Sequence, residues 1–524
     1  MIANFLEYFY TDKFDEKIIL KKSDKNYSVK KVKDLVSERI QNKLILNSTS
    51  KDFDNFAFVI NFLAEIFTNK NIFIDEIKSE KIIDSHNFKG FIELNPKEII
   101  INFQTSGTTG EKKIVQKSLE NLFSESEALK NQFPTLLKNK EFISTTTMNH
   151  LFGFTFHLML PLNSENVINT TTVAVPENIN VENSCLISTP SFIVKMAKYQ
   201  NYPVKNPQVL ITAGAELKEN VFKFAKEIAS NVIEIYGSTE TGVVAYRNSF
   251  DERFHIFKGV ELDCGENFAM VKTNFSLTSF VKVMDKIEKF HNDDILVKGR
   301  TDRIYKIQEK RISAVEIEKI LSSCKFLKDA YVIKIDEKLA CLAVLNQAGL
   351  DYLYKNNIVK LIKKLKSIVK TKYEIVPQKW KFIDDIPHTV NGKIDKKETD
   401  YLFNLNLSFP VVVDKIFEDG KFTVSLYFYS NCNFFKGHFN GFHIVPGVVQ
   451  LFYAQYFARR FFGVDCVSGQ YRKIKFTNII QPDKVLKLEL EQVKNGISYK
   501  YVDENCGYSS GILPVKTLSE VTKA

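Results

Sequence analysis

A run rich in glycine and hydroxyl side chains, from Thr105 to Lys113, constrains the fold of this chain more than any other stretch. It directly follows the apolar residues Ile99 to Phe103, which are typical of a buried strand, so the run is predicted to be a loop leaving a sheet. Glycine lets the backbone approach an anion closely, successive N–H groups form a concave anion site, and a lysine adds positive charge. The run indicates a phosphate-binding loop, but taken alone it is equally typical of a polar surface turn.

Three further motifs follow in a fixed order. They are Tyr236-Gly237-Ser238-Thr239-Glu240-Thr241-Gly242, then Gly299 to Arg303 with Lys306 and Arg311, then Asn391-Gly392-Lys393. With the glycine-rich run they resemble the adenylate-forming superfamily of acyl-CoA synthetases, aryl-CoA ligases, luciferases and peptide-synthetase adenylation domains. The resemblance spans about residues 100 to 400. It implies conversion of a carboxylic acid and ATP to acyl-AMP and pyrophosphate, followed by transfer of the acyl group to a thiol.

Length and composition set the outer limits. A chain of 524 residues is too long for one hydrophobic core and is expected to form three or four domains. The net charge of +10 comes from lysines dispersed through every region, so no nucleic-acid partner is expected. Seven scattered cysteines without a Cys-x-x-Cys pair predict reduced thiols in a cytoplasmic protein and argue against a zinc site. No run has the length of a membrane span, and acidic residues occur too early for a secretory signal.

The resemblance implies that several residues bind ATP and magnesium. Tyr236 stacks on adenine, Thr239 touches the phosphates, and Glu240 holds Mg²⁺, which prefers hard oxygen ligands and usually takes only one or two carboxylates. A plain loop is the alternative for this motif. The nucleotide-binding residues implied in this way are Thr105, Ser106, Gly107, Thr108, Thr109, Gly110, Lys113, Gly214, Ala215, Tyr236, Gly237, Asp285 and Arg300.

Asp285 stands fifteen residues before Arg300, as do the ribose-binding aspartate and arginine of the family. A carboxylate that accepts from two hydroxyls beside a donating guanidinium suits a sugar, although a surface salt bridge is the alternative. Asp302 matches the hinge about which the small domain rotates. Lys393 matches the catalytic lysine that bridges the attacking carboxylate and the α-phosphate, a role of positioning and charge stabilisation; an exposed turn lysine is the alternative. Glu309 replaces a family glycine that lies near the path of the acceptor thiol, so the resemblance supports the thioester step less strongly than it supports adenylation.

A segment from Met148 to Phe154 follows a predicted strand. By resemblance His150, Phe152 and Phe154 border the acyl or aryl pocket. A histidine capping an ordinary core helix is an equally good interpretation.

Beyond residue 400 the pattern changes to alternating strands around a predicted helix that begins at Pro446. Gly437-His438-Phe439 and Pro446-Gly447-Val448 resemble the hot-dog 3-hydroxyacyl-carrier-protein dehydratases. The resemblance implies that His438 is the general base and that the two catalytic groups come from different protomers of a homodimer. The expected acid position holds Phe452, and Asn440 replaces a proline. Three interpretations stay open: an acid from elsewhere, with His443 near in sequence; thioester hydrolysis; or a domain that only holds acyl chains.

The expected fold is therefore α/β and α+β multidomain. It comprises a large adenylation domain at 1–298, a small swinging subdomain at 303–400 and a hot-dog domain at 401–524. The expected function is ATP- and Mg²⁺-dependent activation of an aryl or fatty acid and transfer to CoA or to the phosphopantetheine of an acyl carrier protein, in fatty acid, polyketide or aryl polyene synthesis. The alternatives are a catalytically reduced acyl-binding scaffold, and a hot-dog thioesterase or dehydratase with a non-catalytic ligase part.

Overall fold

The computed structural model describes most of the chain, in two compact units, one mainly of residues 1–301 and the other of 302–387 and 394–524. None of the helices described has both the length and the apolar content needed to cross a membrane. All seven cysteines lie in the described part, and none of them is joined to another by a disulfide there. The described ranges are 5–42, 54–74, 87–106, 112–199, 202–250, 253–266, 268–300, 303–307, 310–389, 394–436, 441–464, 466, 471–494 and 496–515.

The first unit alternates strands with helices. Its strands are β1 (Ile18–Lys22), β2 (Lys25–Ser28), β3 (Asn71–Ile74), β4 (Ile100–Ser106), β5 (Lys112–Ser118), β6 (Glu141–Ser144), β7 (Val167–Thr172), β8 (Ser184–Ser188), β9 (Val209–Ala213), β10 (Asn231–Ser238), β11 (Gly242–Arg247), β12 (Arg253–Ile256), β13 (Glu261–Cys264), β14 (Ala269–Lys272), β15 (Phe280–Val283), β16 (Asp285–Lys289) and β17 (Asp294–Arg300). Its helices are α1 (Glu7–Tyr10), α2 (Val29–Gln41), α3 (Asn55–Ile66), α4 (Leu119–Gln132), α5 (Leu151–Gly153), α6 (Leu160–Asn163), α7 (Pro190–Tyr199) and α8 (Glu219–Ile228), with a π-helical turn at Phe154–Met159.

The main sheet of this unit has eleven strands in the order β16-β17-β12-β11-β10-β9-β8-β6-β7-β1-β2. Strands β6 to β10 run parallel to one another at its centre. The strand β8 is buried along its whole length, because helices cover both faces of a parallel sheet and favour continuous apolar runs. The carboxyl ends of these strands share one edge, where ligands collect in open α/β sheets.

The glycine-rich run begins at the end of β4 and finishes at the start of β5, and these two strands form an antiparallel pair in a separate sheet of order β3-β4-β5. The predicted strand at Ile99 to Phe103 is confirmed, but it continues further. Thr105 pairs with Lys113 and Ser106 with Lys112, so Thr105 and Ser106 belong to the strand and not to the loop. The prediction that placed these two residues in the loop is corrected, since ladder hydrogen bonding extends to the last residue of β4.

Helix boundaries follow local capping. Helix α3 begins after Asp54, whose side chain accepts from the first backbone N–H groups of the helix. Helix α4 begins after Ser118, which forms a capping box with Asn121. These caps fix where each helix leaves the sheet.

The second unit contains two α+β parts. Its strands are β18 (Ile304–Ile307), β19 (Lys310–Ser313), β20 (Leu327–Ile335), β21 (Lys338–Leu345), β22 (Lys379–Phe382), β23 (Val411–Glu418), β24 (Lys421–Phe428), β25 (Arg472–Phe476), β26 (Lys484–Val493), β27 (Gly496–Val502) and β28 (Gly507–Leu513). Its helices are α9 (Ala314–Ser322), α10 (Gln347–Lys355), α11 (Ile358–Val369), α12 (Lys396–Asn404) and α13 (Gly447–Phe462).

The C-terminal part is a six-stranded antiparallel sheet of order β23-β24-β26-β27-β28-β25 that packs on the long helix α13. Tyr501 on β27 donates from its hydroxyl to the carbonyl of Gln450 on α13 at 2.9 Å, which ties helix to sheet. The predicted helix after Pro446 is confirmed, and it ends at Gly463 in the left-handed conformation. An antiparallel sheet packed on one long helix is consistent with the hot-dog fold expected for this part.

The small subdomain and the hot-dog part share a hydrophobic core. Strand β21 is buried on both faces. Its residues Leu339, Cys341 and Ala343 pack with helices α9 and α11, whereas Ala340, Leu342 and Val344 pack in the same cluster as the hot-dog sheet and α13. The core therefore crosses the domain boundary predicted at residues 400 and 401.

Charged groups reinforce this junction. Lys415 on β23 pairs with Asp384 and, at 2.9 Å, with Asp385. Arg460 on α13 also pairs with Asp384 at 2.9 Å, and that carboxylate is only 4% exposed. One buried aspartate thus joins two cations from the hot-dog part to the small subdomain.

Candidate functional site

The turn from β10 to β11 carries Thr239 and Glu240. The Ser238 N–H donates to Thr241 Oγ1 at 3.0 Å, and the Thr241 N–H donates to Ser238 Oγ at 3.2 Å, which closes the turn on itself. A Cβ on Gly237 would lie 2.2 Å from the Gly242 carbonyl oxygen, so only glycine fits there. The turn therefore presents Thr239 and Glu240 in a fixed, partly exposed position at the ligand-collecting edge of the main sheet.

Lys113 and Glu240 meet at this edge. The Lys113 ammonium donates to Glu240 Oε1 at 3.2 Å. Partial burial acts to raise the pKa of Glu240, but its own backbone N–H, Lys113 and Ser238 outweigh burial and lower the pKa. Glu240 therefore presents an ionised carboxylate, which is the kind of hard-oxygen donor that Mg²⁺ prefers. Within the described residues no group of three or more His, Cys, Asp or Glu side chains is placed to bind a metal, so this donor set fits a nucleotide-bound Mg²⁺ and not a cage of protein ligands.

The ends of β9 and β10 lie next to each other beside this turn. Ala213 pairs with Ile235 in parallel register, so Gly214 and Tyr236 emerge next to each other. Gly214 has φ +98° and open space where a Cβ would point, and Gly214 and Ala215 are exposed. An exposed small-residue backbone next to an aromatic ring suits a planar base.

Asp285 lies directly opposite Arg300 in the antiparallel pairing of β16 and β17. Residues in this relation have Cα atoms roughly 5 Å apart, so the predicted sequence spacing does place the two backbones side by side. Both strands belong to the sheet that carries β10. The side chain of Arg300 lies outside the described part of the structure.

Several predicted site residues lie outside the described residues, and their roles stay predictions. They are Gly107, Thr108, Thr109, Gly110, Asp302, Lys393 and His438.

The predicted pocket residues separate into two groups. His150 precedes α5 in an extended conformation, and Phe152 is half-buried against Phe156. Phe154 is fully buried and contacts Phe62 and Phe103 edge-on in the core. We therefore assign Phe154 to the core, because its ring is enclosed by other aromatic rings, and keep His150 and Phe152 as candidate lining residues.

Two buried charged residues beneath the site were not predicted. Lys117 on β5 and Glu125 on α4 are 0% and 1% exposed. The sequence holds a signal for each: Lys117 falls on the strand face of buried Val115, and Glu125 falls on the helix face of Leu122, Ser126 and Leu129. A charge on a predicted buried face indicates a specific partner.

The position at which the resemblance places an acid in the hot-dog part holds no carboxyl group. Helix α13 carries no Asp or Glu from Gly447 to Phe462, and Phe452 is half-buried against Tyr453. Gln450 is the buried polar group of this helix, donating to the Val445 carbonyl at 2.9 Å and accepting from the Ser509 hydroxyl at 2.6 Å. His443 is exposed.

Comparison with known families and structures gives the same two parts. The AMP-binding enzyme family matches residues 17–260, and the ApeI dehydratase family matches residues 414–512. The D-alanine–D-alanyl carrier protein ligase of Staphylococcus aureus strain Newman is 22% identical over 428 residues, which cover 71% of this chain and 82% of the relative.

Solved structures agree on the fold. ATP-bound MatB from Rhodopseudomonas palustris superimposes with a TM-score of 0.59 at 14% identity, over 77% of this chain and 99% of that one. A benzoate CoA ligase from Burkholderia xenovorans LB400 gives a TM-score of 0.57 at 13% identity, over 76% and 99%.

The family matches and the ligase relative support an AMP-forming acid–thiol ligase. More particularly, the chain joins a region that matches the AMP-binding enzyme family to a region that matches the ApeI dehydratase family.

Proposed function

We propose that the chain uses ATP and Mg²⁺ to convert a carboxylic acid, aryl or fatty, to acyl-AMP and then transfers the acyl group to the phosphopantetheine thiol of a carrier protein. The observation that carries this proposal is the contact between Lys113 and Glu240 at the sheet edge that also presents Tyr236 and Gly214. A triphosphate with its metal ion could bind at the cation of Lys113 and the carboxylate of Glu240. A planar base could stack on Tyr236 beside the exposed backbone of Gly214.

Each group has one task in this scheme. Lys113 neutralises phosphate charge, Glu240 holds the metal, Tyr236 stacks on adenine and Asp285 accepts from the ribose hydroxyls. Bound Mg²⁺ would supply charge neutralisation on the phosphate oxygens. Lys393 is proposed to stabilise the charge between the attacking carboxylate and the α-phosphate, a task of positioning and electrostatics. Asp302 is proposed as the hinge.

A carrier protein is preferred to CoA as the acceptor. Two features support it: the relative named above is a carrier-protein ligase, and the fused ApeI-like part resembles enzymes of carrier-bound acyl chains. The test is a thioester assay with acid, ATP and Mg²⁺, offering free CoA and a phosphopantetheinylated carrier protein in separate reactions and reading the mass of each acceptor. Acylated carrier with unmodified CoA is expected; acylated CoA alone would contradict the choice of acceptor.

The hot-dog part is proposed to act on acyl thioesters in fatty acid, polyketide or aryl polyene synthesis, with His438 as the base. Phe452 and the absence of acids on α13 favour a second candidate, in which this part holds the acyl chain without dehydrating it. Incubation with a 3-hydroxyacyl carrier protein separates the two. Loss of water would establish dehydration, whereas retained substrate that binds the protein would establish holding.

A homodimer through the hot-dog part is also proposed. Strand β25 is an edge of its sheet, and large apolar side chains are exposed around it. Phe476 on this strand lies against Gly447 at the start of α13, with Val448 72% exposed beside it. An unpaired edge next to exposed apolar groups is suited to pairing with a second copy. Light scattering should give twice the chain mass, and a charged residue at Phe476 should return it to the monomer.

A further inference from the structure

Two buried ionisable side chains, Lys117 and Glu125, lie near the candidate adenylation site, and the proposed chemistry does not use them. Lys117 is fully buried on β5, where its ammonium donates to the carbonyl of Phe275. Glu125 is fully buried on α4. Charged side chains are rarely buried to this extent unless particular partners compensate for the lost hydration.

Glu125 contacts the strand that leaves the metal-binding turn. The Val243 N–H donates to Glu125 Oε1 at 2.9 Å, and the Thr155 hydroxyl donates to Oε2 at 3.4 Å. A Cβ on Gly242 would lie 2.8 Å from Glu125 Oε1, and Gly242 has φ +73°. The chain therefore has glycine where the carboxylate approaches the backbone most closely.

Burial raises the pKa of Glu125, and the Lys117 cation, the Val243 N–H and the Thr155 hydroxyl act against that rise. Burial lowers the pKa of Lys117, opposed by the charges of Glu125 and Glu240. The two groups thus influence each other, and Glu240 is close enough to contribute.

The turn transmits this contact to Glu240. Hydrogen bonds between Ser238 and Thr241, and from the Thr241 hydroxyl to the Gly242 carbonyl at 2.8 Å, make the turn a closed unit. Fixing the amide of Val243 therefore fixes Glu240, three residues earlier.

Strand β5 carries a lysine near each of these two carboxylates. Lys113 and Lys117 are four residues apart on β5 and so face the same side of it. Lys113 donates to Glu240, whereas the buried Lys117 is close enough to Glu125 and Glu240 for their charges to raise its pKa. The direct contact between β5 and the turn that carries Glu240 is therefore the one made by Lys113.

We infer that Glu125 is a positioning residue, which holds the Glu240 turn in register with the phosphate-loop strand through its hydrogen bond from the Val243 amide. This inference rests on the proposed adenylation function. Binding sites lose affinity when a ligand group is displaced by a fraction of an ångström, so a rigid support beneath Glu240 should appear as Mg²⁺-dependent nucleotide affinity.

The rival role for Glu125 is to balance the charge of Lys117. Two conservative variants separate these roles. Glu125→Asp keeps the charge but withdraws the carboxylate from Val243 by about one bond length. Glu125→Gln keeps the reach and an accepting carbonyl oxygen but removes the charge. If Glu125 positions the turn, Mg²⁺-dependent nucleotide binding should be weaker in Glu125→Asp than in Glu125→Gln. If Glu125 balances the charge of Lys117, binding should be weaker in Glu125→Gln.

The experiment measures binding of the α,β-methylene analogue of ATP to the full chain by calorimetry, with and without Mg²⁺, and thermal unfolding of each variant. In the wild type, Mg²⁺ should tighten binding. In Glu125→Asp, the factor by which Mg²⁺ tightens binding should be about tenfold smaller than in the wild type, which is the size expected for losing one hydrogen bond to a charged group. Glu125→Gln should keep most of it, even if its melting temperature falls further. Thr155→Val, which removes only the longer contact to Oε2, is the matched control and should bind as the wild type does.

The outcomes are distinct. A wild type without any Mg²⁺-dependent binding would refute the proposed function itself. If the wild type binds, two results would overturn the positioning role. One is a Mg²⁺-dependent gain in affinity that falls in Glu125→Gln at least as much as in Glu125→Asp, and the other is a gain that is unchanged in both variants. Should either Glu125 variant fail to fold, Gly242→Ala tests the same contact from the other side. Its Cβ would displace the carboxylate, and an unchanged response to Mg²⁺ would again overturn the inference.

Discussion

Lys113 and Glu240 are 127 residues apart in the chain and meet at 3.2 Å. Lys113 is 62% exposed and Glu240 37%, so the pair contributes less than about 1 kcal/mol to stability. Its value lies in placing a cation and an ionised carboxylate where a triphosphate with its metal would bind.

Replacing Lys113 with methionine should therefore affect nucleotide use and not folding. We expect the KM for ATP to rise about tenfold, because one charge-assisted contact to phosphate is lost, with the melting temperature nearly unchanged. Lys272→Met removes an ion pair of similar exposure, 2.9 Å from Glu261, elsewhere in the same unit and is the control. An unchanged KM in Lys113→Met, or an equal rise in the control, would contradict the role of Lys113.

Two glycines of the site should respond differently to alanine. Gly237→Ala places a Cβ 2.2 Å from a backbone oxygen, so the turn with Thr239 and Glu240 must move and adenylation should fall by orders of magnitude. Gly214→Ala meets open space and carries only the strain of φ +98°, about 1 kcal/mol. Steady-state pyrophosphate release with thermal unfolding measures both. Equal activities in the two variants would show that the close approach at Gly237 does not shape the site.

The small subdomain and the hot-dog part should unfold together. Asp384→Ala leaves Lys415 and Arg460 without their shared buried carboxylate, and loss of one partner of a buried pair costs about 3 kcal/mol or more. Hydrogen exchange should then accelerate in β21 and α13 alike. Asp385→Ala, whose side chain is 45% exposed, should cost under about 1 kcal/mol and is the control. Faster exchange confined to one of the two parts would refute the shared core.

His157 makes the first unit sensitive to acid. Burial lowers its pKa to about 4, although the carbonyls of Asn169 and Phe142 act in the opposite direction. The unfolded chain takes up this proton below a pH of about 6.5, whereas the folded chain does so only near 4, so stability falls as pH drops through this window. Through this effect, the free energy of unfolding at pH 5 is about 2 kcal/mol lower than at pH 7.

His157→Gln keeps a donor for these carbonyls and removes the titration. Urea unfolding of wild type and variant at pH 7 and pH 5 should show a smaller loss on acidification in the variant. If both lose the same free energy, His157 is not the group responsible.

Part of the arrangement at the candidate nucleotide site could be predicted from sequence, because the glycine-rich run and the Tyr236–Gly242 motif each follow an apolar strand. The spacing of Asp285 and Arg300 implied that they lie close together, and they are backbone neighbours. Gly214 and Tyr236 were grouped by resemblance, and the parallel register of β9 and β10 places their backbones side by side. The approach of Lys113 to Glu240 was not derivable from local pattern, since it depends on how two separate sheets pack.

Other features needed tertiary information. Thr105 and Ser106 were predicted as loop because of their composition, but pairing with β5 keeps them in strand. Phe154 was grouped with pocket residues by its neighbours in sequence, whereas its ring is in the core. The sequence did contain a signal for the shared core. The uninterrupted apolar run of β21 indicates that both faces of this strand are buried, and helices packed on one face alone would leave the other face exposed.

We propose that this chain activates a carboxylic acid through acyl-AMP. The most direct measurement is acid-dependent exchange of labelled pyrophosphate into ATP with Mg²⁺, across hydroxybenzoates, cinnamates, short and long fatty acids and D-alanine, with Lys393→Ala as the matched variant. We predict exchange with one class of acid, strongly reduced in Lys393→Ala while its melting temperature is unchanged. Folded wild-type protein that exchanges no pyrophosphate with any of these acids would contradict the account.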